Sequence, residues 1–340
     1  MSERSVRSVG PVLLGCLVLT LAAVYFHVTS GEYDMTLTDL FRTLLRIHPQ
    51  PDYDMVLFEF RLPRIVIALL VGCGLGIAGA GIQGITRNGL ADPGILGINA
   101  GAGAAIVLFM YLFQGQVIRT GAAAVMTMPI FGLVGGLLAA ALIYGFAWYG
   151  GRLDPQRLIL SGIALGSGFG AMTLFFSLRM NAKDFEMATV WLTGSIWNAN
   201  WIYAASMLPW FIVLIPVLLL KAHPLDLFQL EEGAVKSLGV HVERDKSIVL
   251  LCCVGIVSAC VSVSGSIAFV GLLAPHIAKR LVGIRHRRFM PVSGAVGSLM
   301  VIISDLIAKT VFAPAELPVG IVISLVGVPY FVYLLFKTRA

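Results

Sequence analysis

At 340 residues, with 58% hydrophobic and 12% charged side chains and a mean hydropathy of +0.90, the chain is too apolar for a soluble enzyme; soluble domains carry about 25% charged residues. Its net charge of +6 would suit nucleic acid if the basic residues gathered on one face, but they sit at the ends of apolar runs. Ten such runs fill most of the chain, each of about 20 residues, the length that crosses a hydrocarbon core of about 30 Å.

The pattern predicts an all-α integral membrane protein forming one domain over 1–340, with spans at 11–29, 62–86, 95–113, 121–148, 158–178, 201–220, 247–265, 267–283, 291–312 and 317–336. Arg4 and Arg7 precede the first run, which is longer than a signal-peptide core and lacks a clean cleavage site, so an uncleaved first span is expected. With the N-terminus inside, ten spans return the C-terminus inside. That topology puts 16 of the 24 Lys and Arg on inner connections and 8 on outer ones, the sense required by the positive-inside bias.

Arg61-Leu62-Pro63-Arg64 opens the second span, and two arginines around a helix-starting proline fix a pair of cationic forks. They suit either lipid headgroups or carboxylates of another protein. Gly72, Gly76, Ala80 and Gly84 then recur every four residues, as do Gly162, Gly166 and Gly170. Small residues at that spacing let helix backbones approach closely, and on the fifth span they also suit a smooth face along a passage. Glycine-rich matches between Gly74 and Gly84 imitate a dinucleotide fingerprint but lie inside an apolar helix, and no G-x-x-x-x-G-K-[ST] occurs. ATP hydrolysis by this chain is therefore not expected.

Thr86 to Gly97 reads as a Gly- and Pro-punctuated turn at the inner surface. The longest inner connection, Lys221 to Lys246, carries apolar residues at 227, 230, 234, 235 and 238, which predict one short amphipathic helix stopped by Gly239. Ser262 to Ser266 is a small-residue break between the seventh and eighth spans. His276, beside Pro275 and without a neighbouring carboxylate in sequence, reads as structural. The five cysteines lie inside apolar runs without metal-ligand spacing and read as small hydrophobes.

The run R-L-P-R at 61–64, Q-G-I-T-R-N-G-L-A-D-P-G-I-L-G-I-N-A-G-A from Gln83, G-S-I-A-F-V-G-L-L-A-P-H-I-A-K-R from Gly265 and A-E-L-P-V-G-I at 315–321 closely resembles the FecCD/BtuC family of permease subunits of type II ABC importers. The likeness runs from about residue 58 to the end; one departure is Gly89, where the family usually has proline. It implies a BtuC-like fold of ten helices in a bacterial cytoplasmic membrane, serving ferric siderophores, with cobalamin or haem as the alternative cargo. It also implies a second permease subunit, identical or related, two ATPase subunits that hold ATP and magnesium, an extracytoplasmic binding protein, surrounding lipid, no nucleic acid and no cofactor on this chain.

Carried over by position, the resemblance assigns binding-protein docking to Arg61, Arg64 and Lys309, with Asp305 one turn before Lys309 as its possible ion-pair partner. It assigns the inner gate to Arg152-Leu153-Asp154-Pro155, with Asp154 and Pro155 central. ATPase coupling falls to Leu227, Leu230, Glu231, Ala234, Leu238 and Gly239. Ser161, Gly162, Gly166, Ser167, Gly170 and Thr173 of the fifth span are expected along the passage. Alternating access driven by the ATPases is the implied mechanism. An ion-gradient-driven carrier is the rival of a different class, weakened because Asp305 is the single acidic candidate within the spans. A membrane enzyme lacks a nucleophile–base or metal cluster at usable spacing.

Overall fold

The computed structural model describes residues 8–30, 35–47, 50–113, 122–313 and 315–338. Helix α1 (Val9–Thr29) is followed by α2 (Leu37–Leu44), whose Thr36 cap exchanges hydrogen bonds with Asp39, and by α3 (Pro51–Asp54). A π-helical stretch, Met55–Arg61, fuses α3 to α4 (Leu62–Thr86) in one rod of 36 residues. Next come α5 (Ile98–Leu112), α6 (Ala122–Ala147) and a small hairpin of β1 (Trp148–Tyr149) and β2 (Arg152–Leu153). Then follow α7 (Pro155–Ser177), α8 (Ala182–Leu192), α9 (Trp201–Leu220), α10 (Ala222–Leu227) and α11 (Glu232–Ser237). The chain closes with α12 (Val242–Ser264), α13 (Val270–Val282), α14 (His286–Thr310) and α15 (Val319–Thr338).

Every predicted span falls on a helix. Among the described residues seven helices are long and apolar enough to cross a bilayer, while α5 and α15 carry shorter apolar stretches and α13 has 13 residues. The break between the seventh and eighth spans comes slightly later than the small-residue run suggests. Gly265 and Phe269 both adopt left-handed φ, near 67° and 66°. Gly265 is required there because a Cβ would run into the Trp191 carbonyl, and Ser195 N–H donates to Ser264 O at 2.9 Å beside it.

The rod of α4 runs through the centre, packed by α14, α12, α13 and α9. Its predicted small-residue stripe explains how. Gly72 lies on the Gly297 carbonyl of α14, Gly76 on the Ser293 carbonyl, and Gly79 on the Gly271 carbonyl of α13, each so close that a Cβ would overlap the oxygen. Ser298 Oγ also donates across the pair to Leu69 O at 2.7 Å. In lipid no hydrophobic effect drives helices together, so close backbone approach and its dispersion contacts carry the association. The cysteines are free thiols within these helices, four of them buried.

Gly72→Ala should therefore lower stability by roughly 1–3 kcal/mol through overpacking, read as a drop in melting temperature in detergent. Gly15→Ala, at an open position of α1, should hold or raise it by up to about 1 kcal/mol. Equal behaviour of the two variants would refute the backbone contact.

Candidate functional site

The helices leave two polar ends. One carries the start of α4 and the ends of α1 and α14; the other carries the β1–β2 hairpin, the 87–97 turn and the 221–241 connection.

At the first end the three cations expected to dock a partner are engaged inside the chain. Arg64 is buried and grips Asp305 with two parallel bonds, Nε to Oδ2 at 2.8 Å and Nη2 to Oδ1 at 2.9 Å. Its third nitrogen, Nη1, donates to Glu316 Oε2 at 2.7 Å. Asp305, 1% exposed, also accepts from His27 Nε2 at 2.8 Å; an ionised carboxylate has no hydrogen to give, so that ring nitrogen carries the proton. Lys309 is not paired with Asp305 as the one-turn spacing suggests. Its Nζ donates to Ser30 O at 2.8 Å and His27 O at 3.3 Å, and Arg61 Nη1 donates to Val28 O. Both cations thus satisfy carbonyls that the end of α1 leaves unpaired, where the helix dipole also favours positive charge. Sequence reasoning missed His27 and gave Glu316 no role; an ionisable residue inside an apolar run is the signal that points to His27.

At the other end Asp154 caps α7, accepting from Gln156 N at 2.9 Å and Arg157 N at 3.0 Å. The Arg157 N–H bond, with that of Gln156 and the nearby Arg152 and Arg157 charges, holds its carboxyl below the ordinary range. Pro155 follows as the first residue of the helix, where its missing N–H costs nothing. Glu243, another residue that sequence reasoning passed over, accepts from Leu153 N at 2.7 Å and so ties the hairpin to the start of α12.

The coupling segment corrects the expectation of a single helix. It forms α10 and α11 with a turn between them, Glu231 taking extended backbone at the start of α11, and Arg87 Nη2 donates to the Leu230 carbonyl in that turn at 2.8 Å. Leu227 ends α10 and is half-buried; Phe228 and Val235 anchor the segment in the core. Leu230, Glu231, Ala234, Leu238 and Gly239 are exposed, and Gly239 takes left-handed φ at 77°, the predicted stop.

On α7 the expected passage residues divide. Gly162 is buried against the left-handed Gly97, whose Cβ would meet the Gly162 carbonyl, and Gly166 flanks the same contact, so this pair packs inside the subunit. Ser161 and Thr173 are half-buried, while Ser167 and Gly170 lie open beside Ala164, Gly168 and Ala171. The hydroxyls of Ser167 and Thr173 donate back to Ile163 O and Phe169 O, which uses their donor capacity within the helix.

The 87–97 turn folds inward. Pro93 lies against Gly271, and Asp92 accepts from Gly94 N at 2.6 Å. Gly89 sits in open space with ordinary φ, so nothing packs where the family has proline. His276 stands edge-on to Tyr330, ring centres 5.8 Å apart.

Comparison with known proteins agrees with this architecture. The chain is 56% identical over 323 residues to the iron-uptake system permease protein FeuC of Bacillus subtilis, covering 95% of this chain and 96% of that one. It is 37% identical to the Fe(3+) dicitrate transport system permease protein FecD of Escherichia coli over 96% of both chains. A solved metal-chelate type ABC transporter in an inward-facing conformation superposes with a TM-score of 0.83 at 28% identity, covering 96% of this chain and 99% of that one. The family model described as the FecCD transport family matches residues 19–337. This chain belongs to the FecCD transport family.

Proposed function

We propose that the protein is the permease subunit of an ATP-binding-cassette importer that carries ferric siderophore complexes into the cytoplasm by alternating access. The near full-length identity to FeuC, named an iron-uptake permease, carries the reading. The exposed coupling surface supports it: Leu230 and Leu238 project apolar side chains from a segment anchored by Phe228 and Val235, as a helix pair seated in an ATPase groove would. On this reading the hairpin end faces the cytoplasm, as do both termini, and the clamp end faces the binding protein.

ATP binding in the partner subunits would move α10 and α11. Glu243 would pass that movement to Leu153, and Asp154 and Pro155 would re-aim α7. The open face of α7, with Ser167 and Gly170, would meet a second permease subunit across the passage. Its small, self-satisfied groups would let a bulky chelate pass without holding it. Arg61, Arg64 and Lys309 would serve docking by shaping the platform, with Glu316 at its rim. Cobalamin and haem are the alternative cargoes. A carrier driven by an ion gradient fits less well, because Asp305 is locked by Arg64 and His27.

Leu238, 60% exposed, offers the direct test of coupling. Leu238→Asp should leave the melting temperature of the permease unchanged and abolish uptake-linked ATP hydrolysis in the reconstituted complex; normal uptake in that variant would refute the contact. Arg64→Gln should destabilise the permease by roughly 3–5 kcal/mol, because Asp305 is left buried and under-paired. Lost uptake with an unchanged melting temperature would instead make Arg64 a direct docking residue. Without its ATPases, the permease in vesicles should accumulate no ferric siderophore against a gradient, and concentrative uptake there would end the proposal.

A further inference from the structure

At the hairpin end, α4, α10, α13 and the start of α14 surround a cleft of about 1010 Å³, which borders the coupling segment through Arg87. Five cationic side chains line it, Arg87, Lys279, Arg285, Arg287 and Arg288, against a single carboxylate, Asp226. Asp226 is already committed: its Oδ1 lies 2.6 Å from His286 Nδ1 and accepts from His286 N at 2.8 Å. Among the described residues nothing else neutralises the excess of positive charge.

Positive-inside bias accounts for the sign of these residues but not for their gathering around a cavity. Two features mark a built site. Lys279 is held in the wall, its Nζ donating to the buried Gln83 at 2.8 Å and lying 4.9 Å above the Phe289 ring. His286 is buried, 3% exposed, and its Nε2 has no hydrogen-bond partner. That nitrogen is packed against Gly84 of α4 and closed off from the cleft, while Nδ1 holds Asp226, so the ring braces the cleft wall.

We infer that this cleft binds a phosphate group. A phosphate offers several acceptor oxygens and a full negative charge to the arginine forks and to Lys279. Two sources share that chemistry, an anionic phospholipid headgroup and a soluble phosphate. Ile284 at the rim, 78% exposed, gives an acyl chain an apolar contact and favours the headgroup. The site rests on the membrane reading above but not on transport, so lipid retention and uptake fail independently.

The test uses the permease–ATPase complex in nanodiscs of equal phosphatidylglycerol and phosphatidylcholine, with retained lipid counted by native mass spectrometry. Arg285, Arg287 and Arg288 are exposed, so the combined Arg285→Gln, Arg287→Gln and Arg288→Gln variant should fold, which its melting temperature verifies. The wild type should enrich phosphatidylglycerol, and the variant should lose that enrichment by about tenfold or more. If the two lipids are held equally but inorganic phosphate protects the lipid-stripped wild type, and not the variant, against heat, the site stands with a soluble ligand. If neither lipid selectivity nor phosphate protection depends on the arginines, the inference falls. It falls also if Arg287→Cys cross-links efficiently to an ATPase subunit, which would make the cleft a protein interface.

Discussion

Backbone contact between α4 and α14 at Gly72, Gly76 and Gly297 governs both ends of the molecule. Two antiparallel helices that touch without intervening side chains have little freedom to slide or rotate, because any displacement drives a carbonyl oxygen into a neighbouring Cα. With the middle fixed, the ends are placed. Arg64 at the start of α4 arrives opposite Asp305 near the end of α14, and Gly84 at the end of α4 arrives opposite His286 at the start of α14. The ionic clamp at one end and the basic cleft at the other are consequences of one packing seam.

The clamp also changes how the charge asymmetry is to be read. A buried ion pair stabilises only when its hydrogen-bonding capacity is filled, and here Asp305 is met by Arg64 and His27 while Arg64 reaches on to Glu316. Lys309 and Arg61 cap the end of α1. Arg64 is neutralised by the chain's own carboxylates, while Arg61 and Lys309 keep their charge but are tied to backbone carbonyls, so a simple count of Lys and Arg on this side overstates the cations free to meet a partner. The opposite side, where Arg285, Arg287 and Arg288 stay exposed, is more distinctly basic than the sequence tally suggests.

At the hairpin end, polar bonds add to the packing of Leu153, Phe228 and Val235 in connecting the parts. Arg87 holds Leu230, Glu243 holds Leu153, and Lys221 Nζ reaches Asp245 Oδ1 at 2.6 Å. Each charge-assisted bond is worth about 1.5–3 kcal/mol, enough to transmit a displacement and weak enough to rearrange. Such an end can move while the α4–α14 seam stays rigid.

The positions of the spans, the Gly239 stop, the α4 stripe and the family motifs were all legible in the sequence, because hydropathy, glycine spacing and turn chemistry are properties of neighbouring residues. What tertiary structure alone decided involves residues far apart in the chain. Arg64 meets Asp305 across 241 positions, and Arg87 bonds the Leu230 carbonyl of the coupling segment 143 positions away. Gly97 covers Gly162 and removes it from the open face of α7. Local periodicity offered Lys309 as the partner of Asp305 and a single helix over 227–238; the first gave way to a distant donor, Arg64, and the second to an extended turn at Glu231. A charged group in an apolar setting takes the best hydrogen-bond partner that the packing brings within reach, and packing between separate helices is not written in the spacing along either one.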